Sequence, residues 1–105
     1  MGVYIKKLIS VEAFQMTKER SLDNSEWPEW LNRAWRKDIT RTGAVFSSPN
    51  GYFENDGSMP LFIQEEETGL RKIIWGDFIV RGERGELYIS KPDIFRIYWE
   101  AIGDE

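Results

Sequence analysis

The sequence predicts an α+β fold. The expected form is a small, curved, mainly antiparallel sheet, up to a partly open barrel, with one main helix over about residues 26–37 and a short C-terminal helix over about residues 91–98. Three observations carry this. Short runs of β-branched and aromatic residues recur along the chain, each ended by Gly, Asn, Asp or Pro, as in successive hairpins. One stretch, SEWPEWLNRAWRK, repeats its apolar residues at helical rather than strand period. The segment Ser90-Lys91-Pro92-Asp93 has the chemistry of a helix start. A chain of 105 residues has room for one core, so residues 1–105 are expected to form a single globular domain without internal repeat or linker.

Residues 4–15 read as the first strand. Ile9, Val11 and Ala13 alternate with Ser10, Glu12 and Phe14, and Lys6 and Lys7 near the start suit a strand end or edge. Residues 17–24 are polar and are expected to be loop. Ser25 is placed to cap the main helix, with Glu26 and Glu29 at its positive end and Pro28 in the first turn, where the missing N–H costs nothing. Trp27, Leu31, Ala34 and Trp35 fall at i, i+4, i+7 and i+8, which is one apolar face. Trp30 lies beside that face, and Arg33, Arg36 and Lys37 take the other side and the last turn. Ile39, Thr40 and Thr42, followed by Gly43, end the helix near Asp38.

Residues 44–47 form a short strand, Pro49-Asn50-Gly51 a turn, and Tyr52-Phe53 the start of a return arm. Asn55-Asp56-Gly57-Ser58 is a second turn, and residues 59–64 are extended with Leu61 and Ile63 alternating against Phe62. Glu65-Glu66-Glu67-Thr68-Gly69 is an acidic, solvated turn, and residues 70–75 resume as a strand. Gly76-Asp77 breaks it. Residues 78–80 are a strong strand whose antiparallel partner is residues 86–89, across the turn Glu83-Arg84-Gly85. Ser90 is placed to cap the last helix, with Pro92 in its first turn and Asp93 three residues after the Ser, as in a capping box. Ile94, Phe95 and Tyr98 would face inward. Residues 99–102 fit helix and extended chain equally well.

Composition narrows the function. Five Trp, four Tyr and six Phe make 14% of the chain, and such rings serve both to fill a small core and to anchor interfaces. With no Cys there is neither a disulfide nor a thiolate nucleophile, and with no His the usual general base near neutral pH is missing. Metal ligands would have to be oxygens, and no EF-hand spacing is present. Ser90 and Lys91 are adjacent rather than placed as a catalytic pair. No catalytic residue, metal or cofactor is therefore expected, and the chain reads as non-enzymatic. The N-terminal stretch MGVYIKKLISVEAFQ lacks the apolar run of a signal peptide, and Lys6 stands where a myristoylation pattern needs Ser or Thr. No membrane span is expected.

The formal net charge is −4, which argues against a dedicated nucleic-acid binder. The charge is uneven: residues 1–50 carry eight Lys/Arg against six Asp/Glu, and residues 51–105 carry six against twelve. Glu54, Asp56, the Glu65-Glu66-Glu67 run and the acidic tail are thus candidates for a negative face that imitates nucleic acid.

Two stretches carry a resemblance. KKLISVEAFQMT, from Lys6 to Thr17, and GDFIVRGERGELYISKPDIFRIYWE, from Gly76 to Glu100, together resemble a family of small, uncharacterised phage and prophage proteins. Its members open with a KKP-x-x-x-EA-F/W-Q strand. They close with a GD-aromatic-I-aliphatic-K/R-G segment followed by GE-x-Y-x-x-KPD-x-F. Leu8 stands where many members have Pro, Ser90 where many have Cys, and Trp99 is inserted between Tyr98 and Glu100. Residues 18–70 lie outside the match. The resemblance implies a phage or prophage origin and a place in the host cytoplasm, and no established activity.

The candidate site residues follow from these readings. Trp30, Arg33, Arg36 and Lys37 on the main helix, Glu83 and Arg84 in the hairpin turn, and Lys91 at the last helix start are the interface candidates. Trp27, Leu31, Trp35, Gly76, Asp77, Gly82, Gly85, Ser90, Pro92, Asp93, Phe95 and Tyr98 are assigned structural roles as core, turn and cap. Lys91 has Glu86 or Asp77 as a cross-sheet partner. The first functional reading is an accessory protein acting by contact with a host or phage protein. The second is a structural or assembly component forming a homo-oligomer. The third is weak nucleic-acid binding through Trp30, Arg33 and Arg36.

Overall fold

A computed structural model describes residues 2–4, 9–48 and 50–99. Its elements are β1 (Glu12–Gln15), α1 (Lys18–Ser21), a 3₁₀ turn (Asn24–Glu26), α2 (Glu29–Trp35), β2 (Val45–Ser47), β3 (Leu61–Glu65), β4 (Gly69–Ile73), β5 (Phe78–Arg81), β6 (Leu87–Ser90) and α3 (Pro92–Tyr98). The fold is α+β and every strand pairing is antiparallel. The strands divide between two three-stranded sheets, ordered β1-β5-β6 and β2-β3-β4, which do not close into a barrel.

The core lies where the inner faces of both sheets meet α2. Val45, Leu61, Ile63 and Ile73 line one sheet, with Val45 opposite Ile63 and Leu61 opposite Ile73. Ile79, Leu87 and Ile89 line the other. Met16, Trp27, Leu31 and Ala34 close the space, so the period-4 apolar face of α2 is largely real. β5 is the central strand of its sheet. Ile79 and the adjacent Val80 are both fully buried although they point to opposite faces.

Proline decides where both longer helices begin. Trp27, just before Pro28, is extended at φ −69° and ψ 133°, because the residue ahead of a proline is kept out of helical conformation. The helix expected from residue 26 therefore starts at Glu29, with Pro28 in the cap position and no side-chain cap bond. Ser25 is not a cap. It lies inside the 3₁₀ turn, where Asp23 Oδ1 accepts its N–H at 2.9 Å. α2 ends at Trp35 rather than near Asp38, whose carboxylate instead accepts the Thr40 N–H and hydroxyl. Ser90 is likewise one residue too early. It pairs with Phe78 in the sheet ladder, and Lys91 takes the cap position at φ −66° and ψ 146°, ahead of Pro92. Among the described residues Asp93 accepts from its neighbour, the Ile94 N–H, and not from the residues of a capping box.

Other expectations shift as well. The first strand is confined to Glu12–Gln15, and Ile9 is exposed. Lys6, Lys7, Pro49 and residues 100–102 lie outside the described residues. Residues 18–21, expected to be loop, form a one-turn helix because Thr17 Oγ1 accepts the Arg20 N–H at 3.1 Å. Tyr52 and Phe53 do not begin a return arm: β2 pairs with β3, and both rings stay exposed. Between them the chain closes a loop, with the Glu54 N–H donating to Ser58 O at 2.8 Å and Asp56 accepting the Ser58 N–H and hydroxyl.

The Gly76-Asp77 and Gly82–Gly85 turns behave as read, whereas the turn expected over residues 65–69 is narrower, with Glu65 ending β3 and Gly69 opening β4. Gly76 sits at φ 106°, and Asp77 closes the β4–β5 corner by accepting the Ile74 N–H at 2.9 Å while its own N–H donates to Ile74 O. Gly85 at φ 83° donates to Gly82 O, and Gly82 donates to Glu86 O. Trp99 is extended at φ −129° and ψ 144°.

Candidate functional site

The interface candidates fall in three places, each held by local partners. On α2, Trp30 is half-buried against the core cluster. Arg33 Nε and Arg36 Nη2 both lie on one Glu29 carboxylate oxygen, at 3.6 Å and 3.1 Å. Two arginines on one acid leave a modest positive excess rather than a basic face. Lys37 Nζ turns back to donate to Thr42 O at 3.2 Å. Trp35, assigned to the core, is 41% exposed: the helix stops before its side chain is covered, and it packs edge-on against Trp27 at 5.7 Å. Trp27 is the buried ring of the pair, with its indole N–H donating to Arg20 O at 2.8 Å.

The second place is the β5–β6 turn. Glu83 is exposed there, and Arg84 reaches Glu66 at 3.2 Å and Glu86 at 3.8 Å. The Arg84 guanidinium thus bridges the β3–β4 and β5–β6 turns. Beneath it lies a cavity of about 350 Å³, lined by Glu65, Glu67, Glu86, Leu87, Tyr88 and others. Burial, and then the nearby Glu86 charge, push the Tyr88 phenol above its ordinary value, so it stays protonated.

The third place is Lys91, whose Nζ lies 3.0 Å from Asp77 Oδ1. Of the two partners expected for it, Asp77 is the one found. That carboxylate is only 2% exposed and accepts from both Lys91 and the Ile74 N–H, so Lys91 anchors the start of α3 to the sheet corner.

Among the described residues, Glu54, Asp56 and Glu65 are each paired with a base, and the acidic tail lies outside the described residues. Lys72 lies 2.6 Å from Glu54, and that hydrogen bond holds the Glu54 carboxyl below its ordinary range. Lys18 lies 3.4 Å from Asp56. The Ser58 hydroxyl and N–H, more than Lys18, depress Asp56 to about 2. Glu65 is not part of a solvated turn. It is the last residue of β3 and only 7% exposed. Its Oε2 accepts the Ile89 N–H of β6 at 2.7 Å, its Oε1 accepts the Thr68 hydroxyl, and Arg71 lies at 3.3 Å. A single carboxylate thereby ties one sheet to the edge of the other. Among the described residues no group of three or more acids is placed to hold a metal ion.

Two residues expected to face inward, Ile94 and Tyr98, instead join Ile97 in an exposed apolar surface on α3. On α3, Ile94, Ile97 and Tyr98 are 47%, 71% and 73% exposed. Their spacing of i, i+3 and i+4 places them on one stripe, pointing away from the protein. Phe95 points inward instead, stacked on Phe78 with ring centroids 4.0 Å apart and Arg96 over the same Phe78 ring. Ile94 and Tyr98 are therefore outward, not inward. The signal was the stripe itself, but a seven-residue helix does not reveal which of its two apolar sides meets the sheet. No helix among the described residues is long and apolar enough to cross a membrane. No family model, no curated protein and no solved structure matches the chain.

Proposed function

We propose that this chain is a non-enzymatic accessory protein of phage or prophage origin, working in the host cytoplasm by binding another protein through the outward face of α3. The origin rests on the resemblance of residues 6–17 and 76–100. The contact rests on one observation: Ile94, Ile97 and Tyr98 form an exposed stripe on a helix whose opposite side is pinned by the Phe95–Phe78 stack. Anchors at i, i+3 and i+4 are the pattern by which a helix seats in an apolar groove of a partner. Rings and aliphatic side chains clustered in this way are more than singly scattered surface residues. The α2 candidates support this reading less, because Trp30 is half-buried and Arg33 and Arg36 share Glu29.

Site-specific photocrosslinking tests it. A photoreactive phenylalanine analogue replaces Ile97 in the chain expressed in a bacterial host, and replaces Arg33 in a parallel sample. A discrete adduct from position 97, absent from position 33 and lost on Tyr98→Asp, supports the proposal. An adduct of twice the chain mass makes the partner a second copy and favours the assembly reading. An adduct from position 33 alone returns the contact to α2, and no adduct from 97 refutes the α3 surface.

A further inference from the structure

The turn after β2 carries a chemistry that the contact function does not use. Gly51 has φ 70°, and a Cβ built there would meet nothing within 4 Å. Its N–H is held by one hydrogen bond, to Ser48 O at 3.2 Å. Asn50 is exposed. We propose that Asn50-Gly51 is a site of spontaneous deamidation and isoaspartate formation. The Gly51 backbone nitrogen, unshielded by a side chain, attacks Asn50 Cγ and closes a five-membered succinimide. Solvent base takes the Gly51 proton, and the side-chain amide nitrogen leaves as ammonia. Water then opens the ring at either carbonyl, giving aspartate or β-linked isoaspartate. The net change consumes one water, releases one ammonia and involves no oxidant.

The other asparagines are held back. Asn24 Nδ2 donates to Asn32 Oδ1 at 2.8 Å, and Asn32 Nδ2 donates to Trp27 O at 3.3 Å from within α2. Asn55 is followed by Asp56, whose side chain crowds the attacking nitrogen. Asp56-Gly57 forms the same imide only from a neutral carboxyl. Ser58 N–H at 2.9 Å, Ser58 hydroxyl at 2.7 Å and Lys18 at 3.4 Å keep that group ionised. Reaction at Asn50 adds a negative charge, and in the isoaspartate form an extra backbone methylene, two residues before the exposed Tyr52 and Phe53.

The test is a time course of the intact protein in mildly alkaline buffer, read by tryptic peptide mapping of residues 42–71 beside a synthetic peptide of residues 46–55. The expected result is replacement of NH by O at Asn50 with isoaspartate in excess, about fivefold slower than in the peptide. That ratio is the equivalent of about 1 kcal/mol for one exposed turn hydrogen bond. N50Q, which leaves the melting curve unchanged, abolishes the mass gain. Asn50 still intact after the peptide has reacted fully, Asn55 reacting first, or a mass gain persisting in N50Q would each overturn the proposal.

Discussion

Replacing Glu65 with Ala probes the tie between the two sheets. The Ile89 N–H, now bonded to Glu65 Oε2 at 2.7 Å, would be left without an acceptor in a buried site. An orphaned buried donor costs about 1–3 kcal/mol. The ion pair with Arg71, whose side chain is 36% exposed, adds no more than about 1 kcal/mol after solvent screening. The expected total is about 3 kcal/mol, a large fraction of the roughly 5–15 kcal/mol that holds a domain of this size. In a thermal scan that is a fall of roughly 15 °C. Glu65→Gln keeps a carbonyl oxygen for the Ile89 N–H and loses only the charge, so about 1 kcal/mol is expected. Urea unfolding curves with unchanged slope measure both variants, and hydrogen exchange at the Ile89 amide reports the bond directly. If Glu65→Ala lies within about 0.5 kcal/mol of the parent chain, or if Ala and Gln cost the same with Ile89 still protected, the carboxylate is not the tie.

Two more outcomes follow from the site geometry. Trp27→Ala should cost about 3–5 kcal/mol, since it empties a core position and frees Arg20 O, whereas Trp35→Ala should cost only about 1 kcal/mol as the exposed half of the edge-on pair; equal losses in urea melts would contradict the assignment of Trp27 as the buried ring. The Asp56 carboxyl, followed by carbon-13 NMR, should titrate at about 2, and Ser58→Ala should raise it toward the ordinary 3.8 because the Ser58 hydroxyl bond is the largest cause. A folded value below the unfolded one means that this contribution is present above about pH 3.8 and fades as pH falls through about 2. A midpoint unmoved by Ser58→Ala would refute that cause.

Local chemistry by itself determined much of this protein. Gly76, Gly85 and Gly51 mark turns because positive φ is available to them without strain, and those turns are found. The alternation of Leu61 and Ile63 against Phe62, and the period of Trp27, Leu31 and Ala34, name the buried faces correctly because each face is written in neighbouring residues. The α+β class follows from those signals together. Missing His and Cys, likewise, are facts of composition that no fold alters.

Packing decided the rest. Where a helix starts depended on which of several polar residues won the cap: Pro28 and Lys91 displaced Ser25 and Ser90 because proline restricts its own and the preceding backbone. Tyr98 and Ile94 turned outward because the stack of Phe95 on Phe78 set the phase of a helix too short to set its own. Trp35 was left half-covered at the end of α2, packed edge-on against Trp27. Glu65 sits in a run of three acids that reads as solvated, yet it is buried because its hydrogen-bond donor, Ile89, lies 24 residues further along the chain. A turn or a cap is satisfied by atoms a few residues away, so its chemistry is legible in order along the sequence. Burial and pairing are satisfied by atoms brought from elsewhere, and only the assembled sheets say which they are.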